Sequence, residues 1–109
     1  WGYRGSGGIL ATTHEMLSWH QALQGDKLLS KAAKDKYYDA GLQDYALGWV
    51  VKVPGRQVQH GGNVGHIATW YFRDLENDVV VAFASNHELK TDRERLSQRL
   101  WTIARNARD

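Results

Sequence analysis

Between Tyr45 and Ser85 the chain carries a succession of extended apolar segments divided by turn signals, and this pattern leaves few folds open to it. Tyr45, Leu47, Trp49, Val51 and Val53 share one side of a period-2 run, and Ala46, Gly48, Val50 and Lys52 share the other. Pro54-Gly55 marks a turn, because Pro presets φ and Gly accepts a positive φ. Val58 to His60 predicts a short returning strand, interrupted by Gly61-Gly62-Asn63-Val64-Gly65. Ile67 to Arg73 and Val79 to Ser85 predict two more strands, joined as a hairpin by the polar stretch Asp74 to Asp78. The unbroken apolar run Val79 to Ala84 predicts a central strand covered on both faces.

Helical signals flank this region. Thr12 and Glu15 have capping-box spacing, and Met16, Trp19, His20 and Leu23 follow on one face, with Gly25 as the expected left-handed stop. Ser30 can cap a shorter helix from Lys31 to about Tyr38, ending near Gly41. Thr91 and Glu94 predict a second capping box. After it, Leu96, Leu100, Ile103 and Ala104 form the apolar stripe, with Trp101 beside it and Arg95, Arg99 and Arg105 turned away. Trp1 to Leu10 is Gly-rich and reads as a loop or short extended piece. The expected class is α+β: an antiparallel sheet of three to four strands, with N-terminal helices and a C-terminal helix packed on it. Residues 1–109 form a single segment, and the opening WGYRGSGG looks like the inside of a longer protein or a trimmed product.

Composition narrows the chemistry. Fourteen Lys and Arg against twelve Asp and Glu leave a net charge of +2, weak support for a nucleic-acid or membrane partner. Arg93 to Arg108 is interleaved with Asp92 and Glu94 and reads as a solvated helix face, and no helix-turn-helix, zinc-finger or RNA-recognition signature is present. Without Cys there is no disulfide scaffold, zinc-thiolate site or thiol nucleophile. No apolar run approaches the roughly 20 residues of a membrane span. His14 and His20 fall on different helix faces, and no His-x-x-x-His pattern appears, so neither a metal nor another cofactor is expected.

The segment HGGNVGHIATWYFRDLENDVVVAFASN, His60 to Asn86, resembles the third active-site motif and following β-hairpin of the serine β-lactamase and penicillin-binding-protein superfamily, in its class C-type branch. That branch includes D-Ala-D-Ala carboxypeptidases, D-aminopeptidases and serine esterases. Its motif is Lys-Thr-Gly or His-x-Gly on an inner strand, which His60-Gly61-Gly62 fits. Upstream, GSGGILATTHEMLSWHQAL, GDKLLSKAAKDKYYDAG and YALGW resemble further family segments in the same order. The pieces together cover about Gly5 to Asn86, and their order and spacing carry the resemblance. Leu75 stands where the family prefers Pro, which reads as drift.

The resemblance implies acyl transfer to a serine nucleophile in Ser-x-x-Lys, assisted by Tyr-x-Asn or Ser-x-Asn. None of these motifs occurs in this sequence. It therefore implies the carboxy-terminal part of such an enzyme, inactive alone, with a small acyl substrate in the complete protein. The implied compartment is periplasmic or secreted, with the cytoplasm left open. His60, Gly62 and Asn63 are the implied catalytic positions. Gly61, Gly65 and His66 are the implied substrate contacts, His66 as a rim or packing residue. The amide of Asn63 would supply the second oxyanion donor, Gly62 would let backbone and substrate approach closely, and His60 would replace a permanent cation with an imidazole. The partner is then the missing N-terminal part or a second copy, since a cut domain exposes apolar surface. The alternative is a truncated non-catalytic module that self-associates or binds a partner.

Overall fold

The computed structural model describes residues 5–87 and 89–107. The elements run α1 (Thr13–Gln24), α2 (Lys31–Tyr37), β1 (Val50–Val53), β2 (Gln57–Val64), β3 (Ile67–Asp74), β4 (Val79–Ser85) and α3 (Arg93–Asn106). The four strands form one antiparallel sheet in the order β1-β2-β3-β4, so the class is α+β as expected.

Local chemistry explains the element starts. At α1 the capping box is complete: the Glu15 amide donates to Thr12 Oγ1 at 3.2 Å, and the Thr12 amide donates to Glu15 Oε2 at 2.7 Å. Ser30 accepts from the Ala33 amide at 3.2 Å and opens α2. The β3–β4 turn is held by Asp74, whose Oδ1 accepts from the amides of Glu76 and Asn77, while Asp78 takes φ 54.

Several expectations need correction. Gly25 is extended (φ −81, ψ 173) and no left-handed stop. The Tyr45 to Val53 run is broken: Gly48 has φ 85, the Ala46 amide donates to Trp49 O at 2.8 Å, and only an isolated Tyr45–Val50 bridge precedes β1. Gly61 and Gly62 do not interrupt β2. They pair with Trp70 and Thr69, and the chain turns at Gly65, φ 58. β4 lies at the edge of this sheet rather than its centre, although α1 and α3 both pack on it. The cap of α3 is Asp92, which accepts from the Glu94 and Arg95 amides, so Thr91 and Glu94 form no box. Of the α3 stripe, Ile103 is 66% exposed and Leu100 is also exposed, while Ser97 is fully buried and Trp101 partly so. Trp1 to Arg4 of the Gly-rich opening, and Arg108, lie outside the described residues.

The two sheet faces bury different things. Tyr71 and Phe72 are neighbours on β3 and so point to opposite sides. Tyr71 donates to the Met16 carbonyl at 3.0 Å, which puts α1 on its face with Val58, Val51, Trp49 and Tyr38. Burial pushes the Tyr71 phenol up to about 12, so it stays a donor. Phe72 meets Trp101 edge-on at 6.4 Å, which puts α3 on the other face. Trp101 also donates to Asp74 Oδ2 at 2.8 Å. Burial alone would raise the Asp74 carboxyl, but the bonds from Asn77, Trp101 and the Glu76 amide outweigh it and hold it below its usual range.

Arg73, 2% exposed, sits on the Tyr71 face. Its Nε–H donates to His20 Nδ1 at 3.0 Å, its Nη1 bonds the Tyr38 hydroxyl, and its guanidinium lies over the Tyr38 and Trp49 rings. A guanidinium only donates, so Nδ1 of His20 must accept, and the ring proton is on Nε2, 3.3 Å from Asp78 Oδ1. Burial, then the Arg73 charge, lowers the His20 pKa, with Asp78 opposing. A lowered folded value means that stability is fully present above the unfolded value, about 6.5, and is lost as pH falls through the folded one. Urea unfolding midpoints are therefore expected to fall between pH 7.5 and 5.5, and His20→Gln, which keeps an acceptor but cannot titrate, flattens that fall. An unchanged slope in the variant would remove His20 from the account.

Candidate active site

β2 carries the implied site. Alternation puts Val58, His60 and Gly62 on the Tyr71 face and Gln59, Gly61 and Asn63 on the α3 face. Val58 is fully buried, but His60 and Gly62 are exposed, so the same face passes from core to open surface along one strand. β1 pairs with β2 only as far as Gln59, so past that residue β2 has no described strand on its β1 side. His60 Nε2 lies 2.9 Å from the Tyr45 hydroxyl, their rings edge-on at 6.0 Å. Tyr45 is thus a polar neighbour of the motif, brought there by its bridge to Val50 and not by a continuous strand.

The two motif glycines differ. A Cβ on Gly61 would lie 2.3 Å from Trp70 Cε3, 2.7 Å from Cζ3 and 3.0 Å from Thr69 O. A Cβ on Gly62 would meet only Thr69 Oγ1, at an ordinary 3.5 Å. Gly61 is therefore required by the opposing indole within this chain. Gly62 is free of such a demand, and it is exposed. Gly65 serves the β2–β3 turn through its positive φ, and His66 beside it is exposed.

Asn63 turns its side chain away from His60, toward α3. Arg93, the first residue of α3, donates from Nη1 to Asn63 Oδ1 at 3.0 Å, to Gly62 O at 3.1 Å and to Thr69 O at 3.4 Å. Its guanidinium stacks over Trp70 at 5.4 Å. Next to it Glu94 pairs with Lys52 of β1 at 2.7 Å, which straps the start of α3 across the sheet. Sequence reasoning read Arg93 as part of a solvated face. Its targets lie 24 to 31 residues away along the chain, and helical periodicity carries no signal for them.

A separate cavity of about 590 Å³ is lined by His20, Lys34, Tyr38, Arg73 and Asp78 among others, and by none of His60, Gly61, Gly62 or Asn63. Its cations are already engaged: Lys31 pairs with Asp35 at 3.3 Å, Lys34 reaches out to Asp26 at 2.9 Å, and Arg73 bonds Tyr38 and His20. Among the described residues, no group of three or more His, Asp or Glu side chains is placed to hold a metal ion. No helix there is long and apolar enough to cross a membrane.

The chain is 28% identical, over 102 residues, to penicillin-binding protein 4* of Bacillus subtilis (strain 168). The match takes in 85% of this chain but 23% of the relative, so the chain spans about a quarter of that protein's length. No solved structure matches it. Residues 1–105 match the family described as Beta-lactamase, and with nearly the whole sequence inside that match the chain belongs to the beta-lactamase family.

Proposed function

We propose that the chain is the carboxy-terminal part of a serine hydrolase of this family, which transfers or hydrolyses the acyl group of an amide, β-lactam or ester. His60-Gly61-Gly62 is then the third active-site motif. The observation that carries this reading is β2 itself: His60 and Gly62 share one exposed face past the end of β1, beside a buried core. A serine that attacks an acyl carbonyl leaves charge on the oxygen. A positioned amide at Asn63, with the nucleophile's own amide, would stabilise that charge by roughly 3–4 kcal/mol per donor. His60, hydrogen-bonded to Tyr45, would align the carbonyl and the base.

The nucleophile and base are supplied from outside this sequence, which lacks Ser-x-x-Lys and Tyr-x-Asn. Nitrocefin and p-nitrophenyl esters are accordingly expected to show no turnover with the chain alone, and a fluorophosphonate probe to label none of its serines. The same probe labels one serine when the upstream coding sequence is included. A stoichiometric adduct on Ser6, Ser18, Ser30, Ser85 or Ser97 would sink this reading. A non-catalytic, self-associating module draws support from uncovered apolar side chains such as Leu42, Leu47 and Ile103. It would be favoured by an upstream sequence without the two motifs.

A further inference from the structure

We infer that Arg93 is a positioning residue for the oxyanion site: held from behind the sheet, it fixes the Gly62–Asn63 peptide whose N–H faces the developing charge. The inference rests on the reading of His60-Gly61-Gly62 as the third motif. The carbonyl of Gly62 and the amide of Asn63 are the two ends of one planar, trans peptide and point in opposite directions. Whatever anchors the oxygen therefore sets the direction of the N–H. Arg93 Nη1 anchors it at 3.1 Å, takes Asn63 Oδ1 at 3.0 Å from the next residue, and reaches Thr69 O across the ladder at 3.4 Å. One cationic nitrogen thus ties both residues of the peptide to the opposing strand.

The anchor is itself braced. Arg93 stacks on Trp70, and Trp70 occupies the space that a side chain at Gly61 would need. Asp92 caps the helix one residue earlier, and Glu94 is pinned by Lys52 one residue later. The middle glycine of the motif, the indole and the guanidinium so form a stack beneath the reacting face. A cation on the carbonyl also polarises the peptide, which strengthens the N–H at the other end as a donor. This benefit grows as charge develops on the acyl oxygen, so it belongs to the transition state more than to substrate binding.

The test uses the full-length enzyme that carries this chain. Arg93→Met is expected to lower kcat by about 10- to 100-fold while KM changes by less than about threefold, the pattern of a weakened transition-state contact. A boronic acid that mimics the tetrahedral intermediate loses affinity by a similar factor, and a non-reacting substrate analogue does not. Arg93→Lys retains one charged donor and recovers part of the loss, which also covers the case in which Arg93→Met fails to fold. If Arg93→Met, or the uncharged Arg93→Gln where Arg93→Met does not fold, binds the boronate like the parent and keeps its kcat, the inference is overturned. If His60→Ala and Gly62→Val are also neutral, the third-motif reading falls and takes this inference with it. If those two are damaging and the Arg93 variants are not, only the role of Arg93 is lost.

Discussion

On the proposed function, His60→Ala made in the full-length protein is expected to lower kcat/KM by about 10²-fold or more, in line with losses of a positioned hydrogen-bonding group at an acyl-transfer site. The side chain is exposed on the open face of β2 and its ring nitrogen is engaged by Tyr45 at 2.9 Å, so its removal disturbs little of the core. Gly62→Val is nearly as damaging for a different reason. A Cβ at Gly62 meets only Thr69 Oγ1 at 3.5 Å, so the fold accepts it. The branched side chain instead projects onto the exposed face that the proposed function assigns to the acyl group. Asn63→Ala costs far less. It removes one acceptor of Arg93, at 3.0 Å, but leaves Gly62 O bound at 3.1 Å and keeps the backbone N–H. The ranking, read from steady-state kinetics beside unfolding curves, is His60 and Gly62 severe and Asn63 mild. Were Asn63→Ala the worst and His60→Ala neutral, His60-Gly61-Gly62 would not be the third motif, and family membership would explain the fold alone.

The second large effect separates the two adjacent glycines by stability instead of rate. Gly61→Ala is expected to destabilise the fold by about 1–3 kcal/mol, the usual cost of forcing atoms into a filled site. The new methyl group would stand 2.3 Å from Trp70 Cε3 and 3.0 Å from the Thr69 carbonyl. The carbonyl belongs to the sheet ladder and cannot retreat, so the indole must move. The displaced ring leaves Arg93 without its stacking partner at 5.4 Å. Gly62→Ala, one residue on, stays within about 0.5 kcal/mol, as surface substitutions without a clash do. Equal unfolding midpoints for the two variants would mean that Trp70 does not pack against Gly61.

Much of this arrangement was legible before any tertiary information. Capping by Thr12 and Ser30, the β4 bounds and the Asp74–Asp78 turn depend on chemistry within about four residues, and a sequence displays such chemistry directly. The order of the family-like segments was equally visible, because it is a property of the chain alone. Local reading failed where a long-range contact outweighed a local preference. Gly61 and Gly62 looked like a break, yet pairing with Trp70 and Thr69 keeps them in β2. The Val79 to Ala84 run looked central, yet it lies at an edge, with Val79 and Val81 buried and the rest half-buried or, at Ala84, exposed, while α1 and α3 pack on it. Of the α3 stripe expected at Leu96, Leu100, Ile103 and Ala104, Leu96 and Ala104 are half-buried but Leu100 and Ile103 are exposed, whereas Ser97 is buried and Trp101 half-buried.

The sequence by itself determined most of the helical and strand segments, where most turns fall, the family, and the pattern His60-Gly61-Gly62 on which the site reading rests. Tertiary structure decided which motif glycine is needed by the fold, which face Asn63 presents, and that Arg93 reaches the strand at all. The physical reason is range. Caps, turns and periodicity act between near neighbours, while the contact from Arg93 to Gly62 spans 31 residues and exists only after α3 has docked across the sheet.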